Sequence, residues 1–454
     1  MDLAIIILAA GQGTRMKSDR PKVVHPVVGR PMVRYVLEAA RALKPSHLAV
    51  VVGYGADLVR QAAGDGIVFV TQAEPQGTGH AVLQAKDCLA GQASTVLVLY
   101  GDTPLIRPET LCHMVDRHRT EGAALTLLTF WPEDVTGYGR IVRHPATGQV
   151  VAVVEEREAT AQEREIREVN SGILCFQDQW LWPNLARLRR RPGGEIYLTD
   201  LVAIACKQGA KVLGLPISHP WEAMGVDNRV KLAQAEAEIR RRINERWMWH
   251  GVTLVHPETC YIEADVEIGA DTVIWPNTLL QGRTRIGRGC IIGPGTVIRD
   301  SIIGDGCKVE MSVVEQAIME ERSEIGPFGH LRKGAHLGPG VHMGNFGEVT
   351  NSYLGPGVKM GHFSYLGDAT VGAGANIGAG TITCNYDGQR KHRTVIGEGS
   401  FIGSDTLLVA PVEVGAGAKT GAGAVVTHDV PPGSVVYGVP ARIRSTNSEE
   451  REVE

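Results

Sequence analysis

Gly11, Gly13, Arg15 and Lys22, in the string Leu8-Ala9-Ala10-Gly11-Gln12-Gly13-Thr14-Arg15-Met16 and the later pair Pro21-Lys22, have the types and spacing to hold a triphosphate. The string follows an apolar run, Leu3 to Leu8, that reads as a buried strand. Glycines just after a strand let backbone N–H groups approach phosphate oxygens closely. Arg15 and Lys22 supply cations. The string is not a dinucleotide fingerprint, because Met16 stands where a third glycine belongs, and it lacks the Gly-Lys-Ser/Thr of a P-loop.

Further polar residues sit where strands should end. Asp102 follows the run Val96 to Tyr100, and a carboxylate there suits Mg²⁺, the hard cation that accompanies triphosphates. Asp227, in Gly225-Val226-Asp227-Asn228, is its expected partner. Gln72, with Gly77 and Thr78 in a second glycine-bearing loop, offers an amide donor and acceptor to a pyrimidine edge. Thr136 to Arg140, Val154 to Glu156 and Val169 to Gly172 complete these strings and include Gly139, Glu155 and Asn170.

A different chemistry is suggested around His362, in Met360-Gly361-His362-Phe363-Ser364-Tyr365. Making an amide from an amine and a thioester needs a base for the ammonium proton, and histidine titrates in the right range. It also needs a donor for the tetrahedral oxyanion, for which an N–H in Ile377-Gly378-Ala379-Gly380 is the candidate. Tyr365, Asn376, Asn385, Tyr386 and Ser404 belong to the same stretch.

Two kinds of scaffold must position these groups. In the first half, strand-like runs (Leu48 to Val52, Val96 to Tyr100, Leu125 to Phe130) alternate with helical patterns such as Met32 to Leu43. That predicts a largely parallel α/β sheet with ligands at the strand C-termini. A charged segment, residues 230–251, reads as a connecting helix. Beyond it, aliphatic residues recur every six positions, from Ile262, Ile268 and Ile274 through Ile298, with a slip to Ile303 and Val309. The period returns from Ile325 to Val349 and from Leu354 to Leu366, and continues through Val371, Ile377, Ile396, Ile402, Leu408, Val414 and Val426. A hexapeptide period predicts a parallel β-helix with the periodic aliphatic turned inward. The stretch Thr383 to Arg393 breaks the period and reads as a loop leaving the coil. The organisation expected is therefore 1–229, a helix at 230–251, a β-helix at 252–444 and a disordered polar tail at 445–454.

Composition agrees with this division. The chain has 454 residues, enough for two or three domains, and it combines 55 glycines with only 5% aromatics, as a turn-rich β architecture would. Net charge is −4 without a basic cluster, which argues against nucleic acid. No segment has the length of a membrane span, no cationic region precedes the first apolar run, and eight scattered cysteines read as reduced thiols. A cytoplasmic protein is the expectation.

The Gly11 string with Arg15 and Lys22 resembles the signature of sugar-nucleotide pyrophosphorylases, and the repeats resemble the left-handed β-helix of hexapeptide acyltransferases. Taken in order along the chain, the strings resemble one family: the bacterial bifunctional N-acetylglucosamine-1-phosphate uridyltransferases and glucosamine-1-phosphate acetyltransferases. The resemblance runs from Leu3 to about Thr427. It implies a Rossmann-like nucleotidyltransferase domain followed by a left-handed parallel β-helix, and synthesis of UDP-N-acetylglucosamine by two transfers. By the same resemblance, Leu8, Gly11, Gly13, Gln72, Gly77 and Thr78 hold UTP, and Arg15 and Lys22 neutralise phosphate charge. Gly139, Glu155 and Asn170 hold the amino sugar, while Asp102 and Asp227 bind Mg²⁺. His362 is the base, with Arg332, Tyr365, Asn376, Asn385 and Tyr386 around glucosamine 1-phosphate. Ala379, Ser404 and Ala422 lie along acetyl-CoA, and the assembly is a homotrimer.

Three positions depart from the family pattern: Asp227 for Asn, Thr350 for a phosphate-binding Lys, and Gly438 for an Arg linked to coenzyme A. The last two sustain a second reading, a uridyltransferase with a non-catalytic trimerising β-helix. A non-catalytic scaffold would leave Arg15, Lys22, Asp102 and Asp227 idle. Adenylyl- or guanylyltransferases with β-helix tails share the Gly11 loop and differ in nucleotide preference.

Overall fold

The computed structural model describes residues 2–191 and 194–445, in two compact units, Met1–Ile239 and Arg240–Glu454. The first unit is built on β1 (Leu3–Ala9), β2 (His47–Val52), β3 (Val68–Thr71), β4 (Thr95–Tyr100), β5 (Leu125–Phe130), β6 (Arg140–Arg143), β7 (Val150–Val154), β8 (Val169–Gln177) and β9 (Val212–Pro216). The sheet order is β9-β5-β8-β4-β1-β2-β3, with β6 attached to β8 and β7 to β6. The continuous apolar runs of β1 and β5 are fully buried because helices cover both faces of a parallel sheet. The expected parallel sheet is present along β9, β5, β4, β1, β2 and β3, but β8 runs antiparallel to both β4 and β5, and β7 runs antiparallel to β6. β1 is the switch point, since the chain builds outward from it on one side through β2 and β3 and on the other through β4. The Rossmann-like rule puts ligands in the crevice at the C-terminal ends of such strands.

The charged segment forms one helix, Arg229–Trp249. Asn228 caps it, accepting a hydrogen bond from the Lys231 N–H through its Oδ1 at 2.9 Å.

The second unit is a left-handed parallel β-helix of hexapeptide repeats. Short strands stack on three faces. The first runs from Thr253–Leu254 to Val435–Tyr437, the second from Tyr261–Ile262 to Val425–Val426, the third from Glu267–Ile268 to Val412–Val414. Every periodic aliphatic named above is buried in an axial stack, and each such side chain contributes roughly 1.5–3 kcal/mol by leaving water. Two inward apolar positions between Ile262 and Val426 escaped the six-residue count: Val314 and Met319 follow Val309 at five-residue steps. The break at Thr383 is also smaller than the sequence suggests. Thr383 stays inside the coil, where its hydroxyl accepts from Gly367 N–H at 2.7 Å and donates to Gly367 C=O at 3.1 Å. Only Asn385 to Arg393 leave the coil, folded back by the bridge Tyr386↔Lys391. Ser445 closes a strand, Arg442–Ser445, that returns antiparallel on Val435–Tyr437, and the rest of the expected tail lies outside the described residues. All eight cysteines are free thiols. Among the described residues, no helix is long and apolar enough to cross a membrane.

Candidate functional site

In the first unit the end of β1 opens into the glycine loop. Gly13 adopts positive φ (75°), and a Cβ there would lie 2.6 Å from the Lys22 Cβ, so glycine is required both for the turn and for the passage of Lys22. Met16, fully buried, anchors the loop. Gly101 N–H donates to Leu8 C=O at 2.9 Å, and Val226 N–H donates to Asp102 C=O at 2.8 Å. Those two bonds bring the ends of β1 and β4 and the 225–228 loop together.

Charges converge there. Lys22 pairs with Asp102, Arg15 with Asp227 at 2.7 Å, and Lys231 with Asp227 at 3.5 Å. The cluster carries three cations and two carboxylates, an excess of positive charge that suits a polyanion. The extra carboxylate that Asp227 introduces is thus already answered by two cations. Lys231 was not among the sequence candidates, although its i,i+4 spacing from Asp227 on the helix start is legible. Among the described residues no cluster of three or more His, Cys, Asp or Glu forms a ready cation cage. Asp102 and Asp227 are hard oxygen donors on fastened loops, and Arg15 is mostly exposed and able to swing away, so the residues fit a divalent ion shared with phosphate oxygens.

Gln72 is buried, and its Nε2 donates to Gly77 C=O at 3.1 Å and lies 3.0 Å from His80 Nδ1. Its amide donor is therefore spent on its own loop, and Oε1 is the end left for a base. Thr78 Oγ1 accepts from Leu198 N–H at 3.0 Å, while a Cβ on Gly77 would lie 2.6 Å from the Ile196 carbonyl oxygen. Beyond this, Asn170 N–H donates to Gly139 C=O at 2.8 Å, and a Cβ on Gly139 would crowd Val153 at 2.9 Å and reach the Glu155 carboxylate at 3.5 Å. Burial raises the Glu155 carboxyl above its ordinary range, partly offset by the Thr199 hydroxyl donating at 2.9 Å. Asn170 Oδ1 is buried without a partner. A cavity of about 690 Å³ links Arg15 to Glu155, with Gly137, Glu156 and Tyr197 in its lining.

In the second unit, strand register sorts the candidates into two columns. Lys359 pairs with Asn376, Ile377 with Ile402, and Phe401 with Lys419. His362, Ala379, Ser404 and Ala422 therefore occupy the same place at successive turns between the first and second faces. Gly438 follows at the next turn. Hydrogen bonds from Gly380 N–H to Phe363 C=O (2.7 Å), Asp405 N–H to Ala379 C=O (2.6 Å) and Gly423 N–H to Ser404 C=O (2.8 Å) stack this corner. The N–H groups of Gly378 and Gly380 are spent on Ile402 and Phe363, so of these three neighbours Ala379 keeps its N–H as the candidate donor for an oxyanion.

Arg332, Tyr365, Asn385 and Tyr386 belong to the second face and its corner with the third, whereas Asn376 stands apart on a first-face strand, paired with Lys359 and Phe401. Leu331 pairs with Val349, Thr350 with Gly367 and Tyr365 with Ile382, which aligns Arg332 with Thr350 and stacks Asn351, Asp368 and Asn385. Arg332 pairs with Glu348 at 2.8 Å. A Cβ on Gly367 would overlap the Tyr365 hydroxyl and lie 2.6 Å from Asn385 Nδ2, so those two side chains meet over a glycine. Tyr386 is exposed in the loop, its hydroxyl donating to Gly388 C=O at 2.7 Å. Between the two corners lies Ser364–Gly367, roughly 13 Å of strand. A groove of about 530 Å³ crosses it, lined by Phe346, Phe363, Tyr365, Ile382 and Leu407. One copy of the chain does not bring His362 and Asn385 together.

Residues 5–191 match the MobA-like NTP transferase domain family, and residues 265–300 and 393–428 match the bacterial transferase hexapeptide repeats. Over 439 residues the chain is 49% identical to the bifunctional protein GlmU of Pelobacter propionicus, covering 96% of this chain and 95% of that one. It is 47% identical to that of Geobacter metallireducens, covering 96% and 95%, and 44% identical to that of Shouchella clausii, covering 99% of both. The chain belongs to the family of bifunctional GlmU proteins.

Proposed function

We infer that this chain makes UDP-N-acetylglucosamine by acetyl transfer from acetyl-CoA to glucosamine 1-phosphate, then uridylyl transfer from UTP to N-acetylglucosamine 1-phosphate. In the second step a phosphate oxygen of the sugar attacks the α-phosphorus of UTP in line, and the bond to pyrophosphate breaks. The attacking phosphate is already an anion, so no base is needed, and positioning and charge neutralisation carry the step. The glycine loop, Arg15 and Lys22 hold the triphosphate; Gln72, Gly77 and Thr78 hold the base. The observation that carries this reading is the orphaned Asn170 Oδ1 beside Gly139 and Glu155. A buried acceptor without a partner costs about 1–3 kcal/mol, and a sugar amide or hydroxyl would satisfy it. Asp102 and Asp227 would hold Mg²⁺, which supplies charge neutralisation on the phosphates when bound.

In the first step the amine attacks the thioester carbonyl, His362 takes the ammonium proton, and Ala379 N–H donates to the oxyanion. The carbon–sulfur bond then breaks, and the departing coenzyme A thiolate takes the proton from His362 to leave as the thiol. Arg332, Tyr365, Asn376, Asn385 and Tyr386 bind the amino sugar, and Ala379, Ser404 and Ala422 line the acetyl-CoA path. The separation of His362 from Asn385 by one face, and the exposed aromatics Phe328, Phe346 and Phe363 along the first corner, favour sites completed by neighbouring copies in a homotrimer. The protein works in the cytoplasm, where its reduced thiols are at home. The test is thiol release from acetyl-CoA with and without glucosamine 1-phosphate, beside pyrophosphate release from UTP and N-acetylglucosamine 1-phosphate. Both should occur. Pyrophosphate without sugar-dependent thiol release would reduce the second unit to a trimerising solenoid.

A further inference from the structure

We propose that Asp368 is a positioning residue for acetyl transfer: it fixes the Asn385 carboxamide so that its Oδ1 accepts a hydrogen bond from the attacking amine of glucosamine 1-phosphate. This rests on the reading of Asn385 as a substrate-binding residue.

Asp368 sits at the corner between the second and third faces with φ 52°, and its carboxylate is only 9% exposed. Oδ2 accepts from Asn385 Nδ2 at 2.6 Å and Oδ1 from Asn351 Nδ2 at 2.5 Å, with Lys391 Nζ 3.8 Å from Oδ2. An ionised carboxylate only accepts, so it selects the nitrogen end of each carboxamide. Asn385 is thereby held with Nδ2 inward and Oδ1 as its remaining side-chain acceptor. Its main chain is committed as well: N–H donates to Thr383 C=O at 2.9 Å, and C=O accepts from His392 N–H at 2.7 Å.

The corner itself does not require this carboxylate. Asp300, at the equivalent positive-φ turn, accepts a backbone N–H from Arg283 at 3.0 Å, and Asp305, at the corner between the third and first faces, accepts one from Arg288 at 2.7 Å. The Asp368 carboxylate takes no backbone N–H. It spends a buried charge on two side-chain amides, one of them packed with the Tyr365 hydroxyl over Gly367. Charge-assisted bonds of this kind lock orientation more firmly than neutral ones.

The test uses the full chain and follows thiol release from acetyl-CoA with glucosamine 1-phosphate. Asp368→Asn keeps a residue that tolerates positive φ but removes the charge. Its kcat should fall roughly 10–100-fold, with KM for acetyl-CoA within about twofold and pyrophosphate release unchanged. The exchange Asp368→Asn with Asn385→Asp rebuilds the donor–acceptor pair with its polarity reversed and keeps an outward oxygen. It should recover about tenfold over Asp368→Asn alone. An unchanged kcat in Asp368→Asn overturns the proposal. So does a loss that tracks a lowered melting temperature of the β-helix and is not recovered by the exchange. Asn385→Ala with full acetyl transfer would instead overturn the reading on which the proposal stands. An inactive Asn385→Ala beside an active Asp368→Asn would remove Asp368 alone.

Discussion

The two units answer the same problem, holding an anionic sugar against a second substrate, with opposite geometries. In the α/β unit the chain reverses direction around β1, and loops distant in sequence meet at one crevice: Arg15 reaches Asp227 and Lys22 reaches Asp102 within a single copy. A β-helix has no such crevice. Each coil contacts its neighbours, and side chains line up in columns along the corners, so His362 and Asn385 stand on different edges. On the proposed reading, a doubly wound sheet collects a site within one chain, whereas a solenoid distributes its candidates along separate edges and would draw on a neighbouring copy to complete one.

Mixing variants breaks or sharpens this contrast most directly. His362→Ala and Asn385→Ala should each lose acetyl transfer by roughly 10²–10⁴-fold. Co-refolded in equal amounts they should regain activity, at about one site in four if copies assort randomly and each site draws on two neighbours. Lys22→Ala mixed with Asn170→Ala should regain no pyrophosphate release, because that site lies within one chain. Recovery in the second mixture, or none in the first, would erase the distinction.

The same contrast explains what the sequence discloses. The hexapeptide period foretells the buried column because every coil repeats one geometry, and each aliphatic it named is inside. It misses Val314 and Met319 because two five-residue steps occur in succession, and it misses Thr383 because a hydroxyl replaces the aliphatic to satisfy Gly367. In the α/β unit, strings such as Gly11 to Arg15 are legible through local backbone demands. Lys231 and Asp368 escape notice, since their meaning lies in the partners that folding delivers. The split of the acetyl-transfer candidates between two corners is likewise invisible until register is known.

A smaller effect is expected from packing at the β-helix corner. Gly367→Ala places a methyl against the Tyr365 hydroxyl and within 2.6 Å of Asn385 Nδ2. Both side chains must move, and acetyl transfer should fall about 10–100-fold with uridylyl transfer unchanged. Thermal unfolding followed for each variant separates this displacement from loss of the coil. An active Gly367→Ala would mean that the meeting of Tyr365 and Asn385 is not used.

In the α/β unit the charge cluster predicts a milder change. Asp227→Asn removes one of two carboxylates yet also frees Arg15 and Lys231 from it, so the losses partly cancel. The dissociation constant for Mn²⁺, read by electron paramagnetic resonance without substrate, should rise roughly 3–10-fold. Lys231→Ala, which removes a competing cation, should lower it. An increase in both variants would exclude competition between Lys231 and the divalent ion for Asp227.

The smallest effect concerns Glu155, and it sets the cost of a preformed site against the distributed one. Burial raises this carboxyl above its ordinary value of 4.5. A raised carboxyl keeps its proton in the folded state where the unfolded chain has lost it, so stability falls as pH climbs from the ordinary value to the raised one. Below that window the group costs nothing; above it the full cost of a buried charge is paid. Glu155→Gln should therefore melt roughly 1–3 °C higher than the parent at pH 7, with the gap closing near pH 4. The same variant should bind N-acetylglucosamine 1-phosphate more weakly by calorimetry if, as proposed, Glu155 accepts a hydrogen bond from a substrate hydroxyl or amide. Greater stability with unchanged sugar affinity would make Glu155 a strained structural residue; lower stability would mean that the Thr199 hydrogen bond outweighs burial.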